Sequence, residues 1–213
     1  MELRTRVMPI KNKNLQWTIS ATYAYNKSKI KQISNALMNQ NEVNRNAKGT
    51  APLPIYEEGG SLTALKVVPS AGIDPATGRE IYIKRDGTYT FDYDARDKVT
   101  FGDEAPWAQG SLSSYLTYKQ WSASASFGYS LGGLVYNQTL ASRVEGADPK
   151  YNADERVFND RWKKPGNYAK YRNIADYSTP QQTSRFVQVN NYLTLQSLSV
   201  AYEFTPWQIR KLG

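Results

Sequence analysis

The sequence predicts an all-β fold, an antiparallel transmembrane β-barrel segment with long extracellular loops. The clearest evidence is the stretch Trp121–Leu131, in which every second residue is apolar or aromatic and the residues between are serine or glycine. Strand side chains alternate between two faces, so this stretch has one apolar face and one small polar face. No charged residue occurs from Gln120 to Ser142. Soluble sheets usually carry charges on their exposed face, so this absence favours lipid on one side and an enclosed polar interior on the other.

Composition narrows the functional classes. The 213 residues include no cysteine and no histidine, which removes thiolate metal sites and the usual near-neutral general base. We therefore expect no enzyme activity, no cofactor and no metal site. The formal net charge is +8, but the basic residues are scattered among acidic ones between the predicted strands, which indicates solvated loops rather than a nucleic-acid surface. No apolar run approaches the roughly eighteen residues of a membrane-spanning helix.

Five strands of the barrel wall are predicted along the chain. They are Met1–Ile10, Leu15–Tyr25, Ser111–Tyr118, Trp121–Leu131 and Tyr192–Phe204. Short polar turns at Lys11–Asn14 and Lys119–Gln120 join the first strand to the second and the third to the fourth. Outer-membrane barrels have short turns on the periplasmic side and long loops outside. With both short turns on the periplasmic side, both long polar segments of this chain lie outside.

The two long segments are predicted to contain only short elements. A helical turn is expected at Ile33–Met38 and a short helix at Ala153–Trp162. Two short strands, Ser61–Val68 and Glu80–Lys84, are expected to be joined by the turn Gly72–Gly78.

Two local motifs are typical of other functions. Gly128–Gly132 matches the G-x-S-x-G nucleophile elbow, but it lies inside an alternating strand and the chain has no histidine to activate Ser130. The acidic segment Asp92–Asp97 resembles part of a calcium loop, without the glycine and the final glutamate of that motif. We interpret both as chance matches.

Aromatic residues near the strand ends predict two girdles at the membrane interfaces. Trp121 and Tyr129 are separated by roughly 26 Å at the strand rise, which suits girdles about 25 Å apart on a tilted strand. The same alternation predicts lipid-facing residues on the other strands. The full predicted set is Trp17, Tyr23, Tyr25, Trp121, Phe127, Tyr129, Tyr202 and Phe204.

Three segments resemble the C-terminal barrel region of the SusC/RagA family of TonB-dependent outer-membrane transporters of the Bacteroidetes. They are LQWTISATYAYNKSKI at Leu15–Ile30, AGIDPATGREIYIKRDG at Ala71–Gly87 and GDEAPWAQGSLSSYLTYKQWSASASFGYSLGGLVYN at Gly102–Asn137. The Arg-Trp-x-x-Pro-Gly stretch at 161–166, Ser-Arg-Phe-Val at 184–187 and Asn-Tyr-Leu-Thr-Leu at 191–195 are similar to later motifs of the family, although in the last of these Thr194 stands where the family usually has arginine. The resemblance covers nearly the whole chain in the family's order.

The resemblance implies that residues 1–213 form part of a barrel of about twenty-two strands that imports a nutrient, commonly a glycan or a peptide, across the outer membrane. It implies a SusD-like surface lipoprotein as partner, and energy from the TonB complex through an N-terminal region outside this chain. The plug domain, the last strands and the export signal are likewise expected outside residues 1–213.

The loop aromatics Trp107, Trp162, Tyr168 and Tyr171 are candidates for contacting the ligand or the lid lipoprotein, with packing of the loops as the alternative. The alternative to a transporter is a soluble β-rich carbohydrate-binding module. That reading requires the apolar faces of Leu15–Tyr25 and Trp121–Leu131 to pack against each other.

Overall fold

The computed structural model describes residues 1–148, 150–151 and 154–212. Over these residues the chain forms twelve strands and three α-helices. In chain order they are β1 Glu2–Lys11, β2 Leu15–Ala24, α1 Asn35–Asn46, β3 Ala64–Val67, β4 Ser70–Ile73, β5 Glu80–Ile83, β6 Tyr89–Thr90, β7 Val99–Asp103, β8 Ala108–Tyr118, β9 Trp121–Leu131, β10 Leu134–Tyr136, α2 Arg156–Asn159, β11 Val187–Val189, β12 Tyr192–Tyr202 and α3 Pro206–Leu212. A π-helical segment at Leu140–Glu145 and 3₁₀ turns at Ala95–Asp97 and Ser184–Phe186 complete the elements. No helix in the described ranges is long and apolar enough to cross a membrane.

One compact unit, here called the sheet unit, comprises residues 1–26, 105–133 and 190–212. Its five strands form an antiparallel sheet in the order β1-β2-β8-β9-β12. Within this unit each strand pairs with the one that precedes it along the chain. The turn between β8 and β9 is tight because Lys119 adopts a left-handed backbone conformation, and its N–H donates to the carbonyl of Asn14 at 2.8 Å.

The five predicted wall strands are confirmed, with small differences at their ends. β2 ends at Ala24 instead of Tyr25, and β12 ends at Tyr202 instead of Phe204. The neighbouring strands explain both ends: Ala24 pairs with Glu2 at the start of β1, and Tyr202 pairs with Trp121 at the start of β9. Both short turns lie at one end of the sheet, and both long segments leave from the other end.

The second compact unit, here called the loop unit, comprises residues 27–104 and 134–189. It contains three small sheets, formed by β3 and β7, by β4, β5 and β6, and by β10 and β11. Val68 joins the two long segments, because its N–H donates to the Gln182 carbonyl and its carbonyl accepts from the Ser184 N–H, each at 3.0 Å. A small apolar core lies within residues 134–189 and consists of Leu140, Ala141, Val144, Val157, Tyr171 and Phe186.

The predictions for the first long segment need correction. The strand expected at 61–68 is β3, and it pairs with β7 instead of with the strand that begins at Glu80. That second strand, β5, pairs with β4, a strand that was not predicted and whose last two residues, Gly72 and Ile73, fall in the predicted turn. The helical turn expected near residue 33 is the start of the longer helix α1, whose first turn is capped by the Ser34 hydroxyl accepting from the Leu37 N–H at 3.3 Å.

The second long segment also differs from its prediction. The helix expected at Ala153–Trp162 is reduced to α2, four residues long, and Ala153 lies outside the described residues. A polar loop was predicted for this segment, yet it contains the apolar core of the loop unit. Most of its core residues lie in three short helical elements, the π-helical segment, α2 and the 3₁₀ turn at Ser184–Phe186, which are too short to show a hydrophobic period in the sequence.

Candidate functional site

The sheet unit has one predominantly apolar face. Residues that pair directly across antiparallel strands project to the same side, so the register assigns the faces: Trp17 pairs with Leu116, which pairs with Ala123, which pairs with Val200. Extending this register defines the apolar face. Its apolar members are Leu3, Val7, Ile10, Leu15, Trp17, Ile19, Ala21, Tyr23, Ala108, Leu112, Leu116, Tyr118, Trp121, Ala123, Ala125, Phe127, Tyr129, Leu131, Leu193, Leu195, Leu198, Val200 and Tyr202.

The other face, the hydroxyl face, is lined mainly by serine and threonine. Hydroxyl pairs link the strands there: Thr22 to Ser111 at 2.8 Å, and Ser113 to Ser126 at 3.1 Å. β2, β8, β9 and β12 contain no charged residue, so the charges of this face lie on β1. A face of small hydroxyls suits a wet interior, where water satisfies the remaining donors and acceptors.

The apolar face is exposed instead of packed into a core. Leu198, near its middle, is 68% exposed, and Ala108 is the one fully buried apolar residue among the described residues of the sheet unit. The soluble alternative requires β2 and β9 to pack face to face. They instead lie in one sheet with β8 between them, and their apolar sides face the same way. The packing on which that alternative depends is therefore not formed.

Aromatic residues lie at both ends of the apolar face. At the short-turn end, Trp121 lies 4.8 Å from Tyr202, which lies 4.9 Å from Phe204, measured between ring centroids. At the long-loop end, the Tyr129 hydroxyl donates to the Thr22 carbonyl at 2.8 Å. These side chains thus have one apolar end and one polar end, as interfacial aromatics do.

The other predicted lipid-facing residues lie on the apolar face or at its margins. Trp17, Tyr23 and Phe127 lie on the apolar face, while Tyr25 and Phe204 lie just beyond the strand ends. The prediction omitted Tyr118, which lies beside Trp121 on the same face. The alternation of the strand indicated it, because Tyr118 is an even number of residues from Leu112 and Leu116 and so lies on the same face of β8.

The four loop aromatics are placed differently from one another. Trp162 is 8% exposed, its indole N–H donates to the Pro75 carbonyl at 2.9 Å, and its ring lies against Gly78. Tyr171 belongs to the apolar core of the loop unit. Burial of these two side chains favours loop packing over ligand contact. Trp107 is exposed, and Tyr168 is 94% exposed, so these two rings remain accessible candidates.

The loop unit also contains a network of buried charged residues that was not predicted from the sequence. The Glu145 side chain is fully buried and accepts hydrogen bonds from Arg172 at 2.7 Å and from Arg185 at 2.7 and 2.8 Å. Arg185 also donates to both carboxylate oxygens of Glu80, at 2.6 and 2.7 Å. Burial opposes ionisation of Glu145, but the hydrogen bonds and charges of the two arginines prevail and hold its pKa below the usual value.

Further hydrogen bonds of Arg172, together with those of a third arginine, Arg161, extend this network. Arg172 donates to Asp176 at 2.8 Å and to the Ser178 hydroxyl at 2.7 Å. Arg161 donates to the backbone carbonyls of Val144 at 3.0 Å and Asn173 at 3.3 Å, and burial lowers the pKa of its guanidinium. The network contains as many arginines as carboxylates: Arg161, Arg172 and Arg185 against Glu80, Glu145 and Asp176. Arg161 begins the Arg-Trp-x-x-Pro-Gly motif and Arg185 lies in the Ser-Arg-Phe-Val motif. These two motifs were the features of the sequence that could have indicated the network.

Comparison with known proteins gives a consistent result. No family model matches the chain. A TonB-dependent receptor P39 of Formosa agariphila is 19% identical over 253 residues, which cover 100% of this chain and 24% of that protein. In a solved structure of the RagAB peptide transporter, one chain matches with a TM-score of 0.69 and 20% identity, over 94% of this chain and 22% of the other. The chain thus spans about a quarter of the length of the curated relative it matches.

Proposed function

We propose that this chain, a SusC/RagA-like region of an outer-membrane TonB-dependent transporter barrel, supplies five neighbouring wall strands and two outer loops to a nutrient importer. The observation that carries the proposal is the pair of faces on the sheet unit. One face is apolar, exposed and bounded by aromatic residues, and the other carries hydroxyls, with its charged residues confined to β1. Lipid suits the first face and a water-filled interior suits the second.

The direction of the strands follows from loop length. The turns after β1 and β8 are short, while the segments after β2 and β9 are long and fold as the loop unit. Short turns are typical of the periplasmic side, so the loop unit belongs to the outer side. In this arrangement the predicted girdle residues contact lipid at the two membrane interfaces.

The cargo is a glycan or a peptide, and the partners are a SusD-like surface lipoprotein, outer-membrane lipid and the TonB complex, the last contacted through residues outside this chain. The structural neighbour is described as a peptide transporter, which supports the peptide class. Trp107 and Tyr168, the exposed loop aromatics, are the residues we assign to ligand or lid contact. The chain's role is to enclose, to bind and to face lipid, with no covalent step.

The facing assignment is tested with two adjacent substitutions in the complete gene product. Ala125 lies midway between Trp121 and Tyr129 on the apolar face, and Ser124 lies beside it on the hydroxyl face. Ala125→Arg is expected to reduce barrel stability by about 2–4 kcal/mol, because the charge enters the bilayer midplane. Ser124→Arg is expected to cost much less, because its charge reaches the wet interior.

The measurement is the fraction of heat-resistant folded barrel on gels, as a function of temperature, for both variants expressed in the outer membrane. A selective loss for Ala125→Arg supports the proposal. Equal losses for the two variants would refute the assignment of the faces, and a selective loss for Ser124→Arg would reverse it.

A further inference from the structure

The two ends of the sheet unit differ in charge. At the short-turn end are Lys11 and Lys13 of the first turn, Lys119 of the second turn and Arg210 of α3, together with one acidic residue, Glu203. At the long-loop end, residues 24–26, 105–110, 129–133 and 190–193 include no lysine or arginine; the cations there are the Met1 ammonium, which donates to the Tyr25 carbonyl, and Arg4 on the hydroxyl face, with Glu2 between them. The four cations of the short-turn end are here called the basic rim.

The cations of the basic rim are available to bind an anion. All four are exposed, and among the described residues none of them forms an ion pair with a carboxylate. The Lys119 ammonium lies 5.4 Å from the centre of the Tyr118 ring, an arrangement that keeps it over the end of the apolar face. Unpaired surface cations beside apolar aromatic surface are typical of membrane-interface segments.

Helix α3 is attached to the aromatic residues at this end, Tyr118, Trp121, Tyr202 and Phe204, which are here called the aromatic band. The Gln208 amide donates to the Tyr202 hydroxyl at 2.7 Å and accepts from the Thr205 N–H at 2.8 Å, which ties the helix to the end of β12. Trp207 is 65% exposed and Ile209 is also exposed. A short helix with exposed apolar residues and an adjacent cation suits the boundary between acyl chains and headgroups.

From this juxtaposition we propose that the basic rim and the aromatic band form a binding surface for anionic phospholipid headgroups. Resting on the proposed function, the inference places the surface at the periplasmic leaflet, where the short turns lie. The aromatic rings of Tyr118, Trp121, Tyr202 and Phe204 contact the upper acyl chains, and Lys13, Lys119 and Arg210 contact the headgroup phosphates. Lys11, which pairs with Gln16 on the hydroxyl face, adds to the positive potential of the rim. The larger excess of cations at the short-turn end favours headgroup binding in that leaflet.

The test measures lipid retained by the complete gene product, purified in detergent, using native mass spectrometry with phosphatidylglycerol or phosphatidylcholine added. The wild-type protein is expected to retain phosphatidylglycerol preferentially. The variant Lys11→Gln, Lys13→Gln, Lys119→Gln, Arg210→Gln is expected to lose that preference by more than about fivefold, the factor that a single membrane-surface cation contributes. The control variant Lys27→Gln, Lys31→Gln, Lys48→Gln, Lys163→Gln removes the same charge from exposed positions of the loop unit and is expected to keep the preference.

Several outcomes would overturn the proposal. They are an unchanged preference in the rim variant, an equal loss in the control, or displacement of the lipid by excess inorganic phosphate, which would indicate a phosphate site instead of a lipid surface.

Glu203→Gln provides a second test that leaves every cation in place; it is expected to increase phosphatidylglycerol retention, and no increase contradicts the proposal. The Ala125 and Ser124 gels test the proposed function separately, so a heat-resistant barrel without lipid preference rejects this inference alone.

Discussion

In the sheet unit, four of the five strands carry no charge and large apolar side chains lie exposed, whereas the loop unit buries arginines, carboxylates and a small apolar core. The two units satisfy their polar groups by different means. The sheet uses backbone pairing between strands, which is what a lipid environment requires. The loop unit uses side chains that bond to distant residues, such as Arg185 to Glu80 across 105 positions of the chain.

The difference indicates two different solvents. In the proposed barrel, a charged side chain on the apolar face would enter hydrocarbon, where it is costly. The loop unit folds in water, where a buried ion pair is tolerated when its geometry satisfies both partners and where it specifies one arrangement of two long segments. Each substitution below is made in the complete gene product and affects one unit more than the other.

The largest effect is expected from breaking the charge network. Glu145→Ala leaves Arg172 and Arg185 without a shared carboxylate and should destabilise the loop unit by about 3–5 kcal/mol. Protease digestion of the folded protein in membranes measures this, since the loops should be cleaved while the barrel stays heat-resistant. Glu42→Ala is the control, because its exposed pair with Arg45 is worth at most about 1 kcal/mol. Equal cleavage of the two variants would mean that the network does not hold the loop unit together.

The next effect concerns an aromatic ring that packs inward, unlike those of the sheet. Gly78 has φ of +72°, and an added Cβ would lie 2.5 Å from the Trp162 ring. Gly78→Ala should cost about 2–5 kcal/mol, from the left-handed backbone and from overpacking. Gly87→Ala is matched to it: φ is +84° with nothing within 4 Å, so only the backbone cost of about 1–2 kcal/mol applies. Urea midpoints of loop opening compare the two, and equal midpoints would exclude a role for the Trp162 contact.

A smaller effect depends on pH and is confined to the loop unit. Lys98 is 1% exposed and donates to the Arg45 carbonyl at 2.8 Å; burial and then the charge of Arg45 lower its pKa to about 8. Between that value and the ordinary pKa of 10.5, the unfolded state binds the extra proton, so stability rises with pH. Raising the pH from 8 to 10 should stabilise the wild-type loop unit by about 2 kcal/mol relative to Lys98→Met, because burial also raises the pKa of Tyr82, Tyr93 and Tyr136 and their opposing contribution is the same in both proteins. Pulse proteolysis in urea at both pH values measures the gain, and Lys98→Met should abolish it; a gain that persists in Lys98→Met would assign the effect to other groups.

The smallest effect is expected on the hydroxyl face of the sheet. Ser113→Ala removes the hydroxyl that lies 3.1 Å from the Ser126 hydroxyl. Because water can replace this bond and the backbone pairing is untouched, the loss should be at most about 1 kcal/mol. The midpoint temperature of the heat-resistant barrel measures it. A loss as large as that of Glu145→Ala would show that side-chain bonds, and not strand pairing, stabilise the sheet.

Much of the sheet unit was predictable. The alternation in Trp121–Leu131 gave the limits of β9 and its two faces, and the short turn at Lys119–Gln120 gave its pairing with β8. Both signals are local, since side-chain direction in a strand and the closure of a tight turn depend on a few neighbouring residues.

The loop unit was predicted less well because its contacts join residues that are distant in the sequence. β3 pairs with β7 more than thirty residues away, and four-residue strands carry too little alternation to identify a partner. Glu145 and Arg172 have the residue types of a solvated surface, and only their mutual contact makes burial favourable. Trp162 and Tyr168, six positions apart, are indistinguishable as loop aromatics in sequence, yet one is buried and the other is exposed.

The sequence by itself determined where the wall strands lie, the alternation of side chains between their two faces and the apolar character of one face. These properties repeat every two residues and do not depend on the rest of the molecule. Only the tertiary structure decided which charged residues are buried, which aromatic rings remain accessible and how the two long segments join. Those outcomes depend on contacts such as Arg185 with Glu80, in which distant residues compensate each other's loss of water.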